Sequence, residues 1–312
     1  MFLKAVCFVL LAVGTTGAQK VPSAISTDTA PDLNPGASSV KMTVPSHGEM
    51  LLGILYEAAG PGKHPTVVLL HGFPGYEQNL DLAQAMRRAG WNVLAMHYRG
   101  SWGVGGDFSL AHASEDADAM VAFAHSPEPA RKYHIDPDRI VVVGHSMGGY
   151  MAAWAAAHES AVLGAVMIGM WDITEQVRGA AGSRDELMAR AEKDDGTEPV
   201  DFLPLHGYSR AELATEIVDH REALNLDNLA GKIAPRPVLL LTADDGSEAG
   251  SERFMRALQA AGDKKVELLH AATDHLWAGK RIYLEALLLN WLEARFEEQM
   301  PELTKRGPGQ PS

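Results

Sequence analysis

Residues 141–150 of this chain read Val141-Val-Val-Gly144-His-Ser146-Met-Gly148-Gly149-Tyr150. The β-branched apolar start is typical of a buried strand, and the alanine-rich residues Met151 to His158 that follow are typical of a helix. A strand, a sharp turn and a helix are the context in which Gly-x-Ser-x-Gly indicates a nucleophilic serine. The two outer glycines leave room for the turn, and the serine adopts a strained conformation that exposes its hydroxyl group. We therefore predict that Ser146 is a nucleophile.

Around this stretch, continuous apolar runs alternate with segments of helical periodicity. Runs of this kind, unlike alternating apolar and polar residues, indicate strands that are buried on both faces. The runs are Thr66–Leu70, Trp91–Met96, Ile140–Val143, Leu163–Met170, Val238–Thr242 and Val266–His270. Two earlier runs, Val40 to Val44 and Met50 to Tyr56, predict a hairpin at a sheet edge. The sequence therefore predicts an α/β fold, with a mostly parallel central sheet covered by helices on both faces.

The ends of the chain differ in composition from its middle. Residues 1–18 have a short apolar stretch and a small-residue ending, which are typical of a cleavable secretory signal, so we expect an exported protein. Residues 19–39 and the tail at 301–312 are rich in polar residues and proline, which predicts a flexible leader and a disordered end. One domain is expected at 40–300, interrupted at about 172–232 by a charged segment that we interpret as a short helical cap.

Composition and charge argue against several classes of function. The 312 residues are 46% hydrophobic with a formal net charge of −13, which disfavours nucleic acid or an anionic membrane as a partner. Cys7 is the only cysteine and lies in the predicted signal, so the mature protein is expected to lack disulfides and thiol ligands. No histidine pair has the spacing of a metal site, and the glycine-rich residues 100–106 lack the ending of a phosphate-binding loop. We expect no metal, no cofactor and no stable membrane insertion.

A serine nucleophile needs a base to take its proton, and a third group to orient that base. Ligand sites on parallel sheets lie at the carboxyl ends of strands, which narrows the choice among the 13 histidines. His275 lies just past the last predicted strand and before the final helix, so we predict that it is the base. His71 and His145 also lie at strand ends, but beside tight turns, and we interpret them as packing or hydrogen-bonding residues.

The acid of such a triad should follow an earlier strand. Asp245 closes the penultimate strand about thirty residues before His275, and it is the predicted acid. Its neighbour Asp244 is the first alternative, because successive residues of a strand point to opposite sides and only one of the two can face the histidine. Asp172, at the end of the strand after the serine motif, is a second alternative.

The negative charge that develops on a substrate oxygen needs preorganised N–H donors. The backbone N–H of Met147, directly after the serine, is one expected donor. The loop after the Thr66–Leu70 strand is expected to supply the other through the N–H of Phe73, because Gly72 and Gly75 allow a close approach of the backbone.

The chain resembles the α/β-hydrolase superfamily in several motifs. The order Ser146, Asp245, His275, with His71-Gly72-Phe73-Pro74-Gly75 upstream, carries the resemblance, which extends from about residue 40 to residue 296. The resemblance implies the α/β-hydrolase fold, with the cap inserted into it, and a cofactor-free serine hydrolase.

Two further motifs narrow the resemblance. Tyr98-Arg-Gly-Ser-Trp-Gly and Gly144-His-Ser-Met-Gly-Gly are similar to the catalytic domain of prolyl oligopeptidase-like peptidases and to their single-domain esterase relatives. The chain departs from the full peptidases in two ways. It has no room for their β-propeller, and Asp245-Gly-Ser-Glu-Ala lacks the Asp-x-x-Val-Pro ending that is common after the family's acid.

Together with the predicted signal, this implies an exported enzyme that cleaves small carboxylic esters through an acyl-enzyme. The alternative is a serine aminopeptidase or oligopeptidase-like peptidase that acts on short peptides. A non-catalytic binding protein on the same fold is a third hypothesis. Because esters leave as alkoxides and amides need a protonated leaving nitrogen, we predict that short acyl esters react at least about 100-fold better, in kcat/KM, than matching aminoacyl anilides.

Overall fold

The computed structural model describes residues 20–192 and 197–296. Within these residues the strands are β1 (Ser38–Ser46), β2 (Glu49–Glu57), β3 (His64–Leu70), β4 (Asn92–Met96), β5 (Ile135–His145), β6 (Val162–Ile168), β7 (Val238–Ala243) and β8 (Glu267–Ala271). They form one sheet in the order β1-β2-β4-β3-β5-β6-β7-β8. β2 pairs antiparallel with β1 and with β4, and the remaining ladders are parallel. The predicted α/β fold, its mostly parallel sheet and its edge hairpin are confirmed.

Helices cover both faces of the sheet, which is why the central strands are continuous apolar runs. The helices are α1 (Leu80–Arg88), α2 (Leu110–His125), α3 (Pro127–Lys132), α4 (Met147–His158), α5 (Arg184–Ala191), α6 (Arg210–Asp219), α7 (Ala230–Ile233), α8 (Ser247–Ala260) and α9 (Arg281–Phe296). Val68 and Leu70 of β3 belong to the core that holds α2, α4 and α8. Val67 and Leu69 belong to the opposite core, with α1 and α9. Successive residues of a buried strand thus supply two different cores.

The cap, residues 172–232, contains α5, α6 and the start of α7, which leads into β7. It is joined to the rest of the domain by specific hydrogen bonds. The Glu216 carboxylate of α6 accepts from the N–H groups of Leu110 and Ala111 at 2.9 and 2.8 Å, at the positive N-terminus of α2. The His206 N–H donates to the Gly100 carbonyl at 2.7 Å. These bonds join the predicted cap to the N-terminus of α2 and to the loop after β4.

Some residues of the predicted leader at 19–39 contact the domain. Ile25 packs against the core beneath α1 and α9. Its carbonyl accepts from Arg88 Nη2 at 3.2 Å, and the Lys20 carbonyl accepts from Asn290 Nδ2 at 2.9 Å. Composition misses this because the donors belong to distant helices. The predicted signal at 1–18 and the tail at 301–312 lie outside the described residues.

Among the helices of residues 20–192 and 197–296, none is both long enough and apolar enough to cross a bilayer.

Candidate active site

Ser146, the predicted nucleophile, lies at the turn between β5 and α4. Its backbone has φ 56° and ψ −121°, a conformation that costs a residue other than glycine about 1–3 kcal/mol. Two backbone hydrogen bonds hold it there. The Ser146 N–H donates to the Ile168 carbonyl at 2.9 Å, and the Trp171 N–H donates to the Ser146 carbonyl at 3.0 Å. The serine is therefore fixed from β6 as well as from its own strand and helix.

Glycines around the serine allow backbone segments to approach each other closely. A Cβ on Gly144 would overlap the Gly148 carbonyl, and a Cβ on Gly148 would overlap the Leu70 carbonyl at the end of β3. A Cβ on Gly72 would lie only 2.9 Å from the Cβ of Ser146. The turn thus requires its two motif glycines, and the loop after β3 lies directly against the serine.

The other two residues of the predicted triad follow β7 and β8. Asp245 lies two residues beyond β7 and His275 four residues beyond β8. His275 Nδ1 is 2.6 Å from Asp245 Oδ2. Because an ionised carboxylate can only accept a hydrogen bond, the proton of the ring is on Nδ1, and Nε2 is left as a basic nitrogen.

The Asp245 carboxylate is held in one orientation and stays ionised. Its other oxygen accepts from the Ser247 N–H at 2.9 Å and from the Ser247 hydroxyl at 2.6 Å. Burial raises the pKa of Asp245, but the hydrogen bonds from His275 and Ser247 outweigh burial and lower the pKa to about 2. We did not predict the part played by Ser247, although a serine two residues after an aspartate is a typical turn signal.

Ser146, Asp245 and His275 line one cavity of about 500 Å³ at the carboxyl ends of the parallel strands. Gly169 lines it too, and a Cβ there would lie 3.1 Å from Asp245 Oδ2 and 3.2 Å from His275 Nδ1. The Asp245–His275 pair is therefore enclosed tightly on the β6 side. The His275 side chain is 42% exposed, so its ring faces the open part of the cavity.

The two alternative acids have other partners. Asp244 points to His270, with 3.2 Å between Asp244 Oδ1 and His270 Nε2. Asp172 is buried and bound by the guanidinium groups of Arg178 and Arg253. The structure thus brings Asp245 to His275, and it does not bring Asp244 or Asp172 there.

The predicted oxyanion donors lie on either side of the serine. Met147 begins α4, and Phe73 belongs to residues 71–75, which we call the β3 loop. Phe73 lines the same cavity as Ser146. Within the described part of the chain, neither N–H has a hydrogen-bond acceptor. Both N–H groups are therefore available to a bound oxygen atom.

His71 and His145 are both buried, and each forms a hydrogen bond to a backbone carbonyl. His71 Nδ1 is 2.8 Å from the Gly72 carbonyl, and His145 Nε2 is 2.9 Å from the His275 carbonyl. Burial lowers the pKa of His71 to about 3 and that of His145 to about 4. Both rings are therefore neutral at pH 7. The contact between His145 and His275 was not predicted, because no sequence pattern links residues 130 apart.

The cavity has one aromatic wall and one acidic side. The Phe73 ring lies 6.4 Å from the Trp171 ring and 5.4 Å from the Phe202 ring of the cap. Glu175 and Asp201 add carboxylates from the cap. The described lining residues include no lysine or arginine. Sequence reasoning did not identify these cap residues, because the contacts depend on how the cap folds back over the strands.

Residues 20–192 and 197–296 include no group of three or more His, Cys, Asp or Glu side chains placed to hold a metal ion.

The profile of the alpha/beta hydrolase family matches residues 67–280, more than half of the chain. The chain belongs to the alpha/beta hydrolase family. The match includes the β3 loop, Ser146, Asp245 and His275. It therefore spans every residue of the predicted triad and both predicted oxyanion donors.

Solved structures share the fold of this alpha/beta hydrolase at low sequence identity. The esterase Pf2001 of Pyrococcus furiosus is 17% identical with a TM-score of 0.59, over 83% of this chain and 91% of that one. The acylaminoacyl peptidase of Pyrococcus horikoshii is 18% identical with a TM-score of 0.61, over 89% of this chain but 43% of that one. The carboxylesterase EstE1 from a metagenomic library is 18% identical with a TM-score of 0.59, over 87% and 92%. At these identities the likeness establishes the fold.

Proposed function

We propose that this alpha/beta hydrolase is an exported serine esterase that cleaves small carboxylic esters through an acyl-enzyme. The observation that carries the proposal is the 2.6 Å pair of His275 Nδ1 and Asp245 Oδ2, in the cavity that also contains the strained Ser146. A nucleophile, a base and a group that orients the base are the parts that acyl transfer needs.

In the proposed reaction, the Ser146 hydroxyl oxygen attacks the ester carbonyl carbon while its proton passes to His275 Nε2. The tetrahedral intermediate collapses, the bond to the leaving oxygen breaks, and His275 returns the proton to that oxygen. An alcohol leaves, and the acyl group stays on Ser146. Water then attacks the acyl carbon, its proton passing to His275 and on to the Ser146 oxygen as the acid product leaves. Asp245 stabilises the imidazolium that forms twice in the cycle.

The charge on the substrate oxygen is stabilised from two directions. The Phe73 and Met147 N–H groups are free to donate, and the Met147 N–H lies at the N-terminus of α4, where the helix dipole adds positive potential. Because such donors act mainly on the developing oxyanion, they lower the barrier more than they tighten substrate binding.

The shape and charge of the cavity favour esters with neutral, partly apolar acyl groups. The Phe73–Trp171 wall suits an alkyl or aryl group. Glu175 and Asp201 disfavour an anionic substrate, because the described lining offers no cation to pair with it. The chain spans 43% of the acylaminoacyl peptidase that shares its fold.

Export is proposed from the composition of residues 1–18, which resembles a cleavable signal. Sequencing the N-terminus of protein from the native host tests it. A mature chain that begins near Gln19, outside the cytoplasm, supports export; a cytoplasmic protein that retains Met1 contradicts it.

Labelling with a fluorophosphonate, followed by assays of the Ser146→Ala variant, tests the esterase proposal. The wild type should be labelled at Ser146 and should hydrolyse short acyl esters at least about 100-fold better, in kcat/KM, than matching aminoacyl anilides. Ser146→Ala should lose the label and about 10⁶-fold in kcat. Ser183→Ala, which alters an exposed helix cap, is the matched control and should keep both.

Each alternative has its own result. Comparable rates on esters and anilides would assign a peptidase. Labelling of Ser146 without turnover of any ester or amide would leave the substrate class open, and the absence of both labelling and turnover would favour a binding protein. More than a few per cent of activity in Ser146→Ala would show that another residue is the nucleophile.

A further inference from the structure

Side chains hold the β3 loop through its carbonyl groups. The Tyr98 hydroxyl donates to the His71 carbonyl at 3.2 Å, and His71 Nδ1 donates to the Gly72 carbonyl at 2.8 Å. Trp102 Nε1 donates to the Pro74 carbonyl at 2.7 Å. Each of these carbonyls is therefore fixed by a donor outside the cavity, and the orientation of each peptide unit follows from that bond.

The peptide between Gly72 and Phe73 is the one that matters for an oxyanion. The bond is trans, so its C=O and its N–H point in opposite directions. Because the Gly72 C=O points to the His71 ring, the Phe73 N–H points away from that ring. Ser146 lies close to this peptide, because a Cβ on Gly72 would be 2.9 Å from the serine Cβ, and Phe73 lines the same cavity as Ser146. If this peptide were turned over, its carbonyl oxygen rather than its N–H would point away from the His71 ring, and an oxyanion bound beside Ser146 would lose the Phe73 donor.

The orientation of this peptide depends on the tautomer of His71. Burial lowers the pKa of His71 to about 3, so the ring is neutral and carries its single proton on either Nδ1 or Nε2. With the proton on Nε2, the lone pair of Nδ1 would face the Gly72 carbonyl oxygen at 2.8 Å, which is repulsive. The productive peptide therefore requires the Nδ1–H tautomer, which leaves Nε2 as an acceptor.

A second histidine supplies the donor that this tautomer needs. His97 Nδ1 lies 3.3 Å from His71 Nε2, and the His97 ring stacks on Trp102 with 5.8 Å between ring centres. The Trp102 Nε1–H in turn donates to the Pro74 carbonyl. His97 therefore contacts two of the three side chains that hold the β3 loop, His71 and Trp102. Because His71 Nε2 is an acceptor in the Nδ1–H tautomer, a hydrogen bond between the two rings requires the proton of His97 to be on Nδ1.

We infer that His97 is a positioning residue for the oxyanion hole: its Nδ1–H bond selects the His71 tautomer that turns the Phe73 N–H toward Ser146. The inference rests on the proposed function, since it assigns the Phe73 N–H to oxyanion stabilisation. His97 itself touches no reacting atom and acts through His71.

Replacing the His97 ring while keeping its packing tests the inference. His97→Phe retains an aromatic ring on Trp102 but removes the donor, and His97→Asn can place an amide N–H where Nδ1 was. His158→Phe is the matched control, because His158 also stacks on a tryptophan, Trp154, with ring centres 4.1 Å apart, on an exposed helix end away from the cavity.

We expect His97→Phe to lower kcat on a short acyl ester by about 10-fold with KM nearly unchanged, because an oxyanion donor acts mainly in the transition state. Affinity for a trifluoromethyl ketone, which forms a tetrahedral adduct with an active serine, should fall by a similar factor. His97→Asn should recover most of the loss, and His158→Phe should match the wild type.

The tautomer itself is measured by NMR of protein labelled with ¹⁵N-histidine, without substrate. The His71 proton should be on Nδ1 in the wild type and in His97→Asn, and should redistribute toward Nε2 in His97→Phe. Unchanged kcat and an unchanged tautomer in His97→Phe would overturn the inference. So would a loss of kcat that comes with lower thermal stability and an unchanged tautomer. Failure of the proposed function is recognised separately, by a wild type that is neither labelled at Ser146 nor active on esters.

Discussion

Histidines from two kinds of environment meet at one end of the sheet. His275 is partly exposed, and its Nδ1–H is bound to the Asp245 carboxylate. His71 and His145 are buried, and their N–H groups are bound to neutral backbone carbonyls. A carboxylate stabilises an imidazolium, whereas burial beside a carbonyl does not, and the pKa values of the buried rings fall to about 3 and about 4. Partner and burial, rather than nearness to Ser146, decide which imidazole can carry a proton during turnover.

The largest effect on kcat is expected from Asp245→Asn. This substitution gives His275 an uncharged hydrogen-bond partner, as His71 and His145 already have. In Asp245→Asn, the Ser247 N–H and hydroxyl still need the oxygen that they bind now, so the amide NH₂ faces His275. Nδ1 must then accept, and its proton moves to Nε2, where it faces the serine. We expect kcat to fall by about 10⁴-fold, measured on one short acyl ester at pH 8.

Two isosteric variants control for this change. Asp244→Asn alters a carboxylate that faces His270, and it should leave kcat within about twofold of the wild type. Asp172→Asn breaks a buried ion pair with Arg178 and Arg253, and it should lower the free energy of unfolding much more than kcat per folded enzyme. If either variant loses as much kcat as Asp245→Asn, the acid has been assigned wrongly.

The sequence predicts the features of this site that are set locally. Strand, turn and helix around Ser146 are encoded within about fifteen residues, and the glycines have steric reasons that hold in any context. Asp245 and His275 follow from the rule that parallel strands end at a common edge. These predictions require only the positions at which the strands end, and the ends of the continuous apolar runs indicate those positions.

The features that the sequence does not predict depend on long-range contacts. The His145 bond to the His275 carbonyl spans 130 residues, and the Glu216 bond to the Leu110 N–H spans 106. Residues 19–39 have the composition of a flexible leader, yet donors on α1 and α9 bind the Ile25 and Lys20 carbonyls. In each case the chemistry of the residue permits several partners, and only the packing of the whole domain selects one.

Buried and exposed histidines should also differ in how they change the free energy of unfolding with pH. Unfolded histidine has a pKa near 6.5, and burial lowers the pKa of His145 to about 4. Between these values the unfolded chain takes up a proton that the folded protein does not. The stability that the neutral ring contributes is therefore present above pH 6.5 and is lost as the pH falls toward 4. His145 should account for about 2 kcal/mol of lost unfolding free energy between pH 7.5 and pH 5.

Urea unfolding of the wild type and His145→Gln at the two pH values measures this contribution. The glutamine variant should lose about 2 kcal/mol less than the wild type on acidification. Asp118→Asn is a control of opposite sign: burial raises the pKa of Asp118 to about 6, so its folded carboxyl gains a proton as the pH falls and offsets part of the loss. Equal pH dependence in the wild type and His145→Gln would show that His145 does not resist protonation in the folded state.

The smallest expected effect comes from the contact that joins the two kinds of histidine. His145 Nε2 donates to the His275 carbonyl at 2.9 Å, and the two rings lie 4.6 Å apart, so the buried ring supports the loop that carries the proposed base. Within the described residues, His145 Nδ1 has no hydrogen-bond partner. His145→Leu therefore removes one hydrogen bond and keeps most of the volume. A neutral hydrogen bond contributes about 0.5–1.5 kcal/mol, so we expect kcat to fall about 3- to 10-fold with KM unchanged.

His145→Gln separates the hydrogen bond from the packing, because the glutamine Nε2 can reach the position of the imidazole Nε2. We expect this variant to keep at least half of the wild-type kcat, measured on the same ester at pH 8. If the leucine and glutamine variants lose kcat equally, ring packing rather than the hydrogen bond positions His275. If neither loses any, the loop after β8 holds His275 by itself, and the buried ring contributes only to stability. The ratio of the kcat values of His145→Leu and His145→Gln therefore measures how far the position of His275 depends on its hydrogen bond to His145.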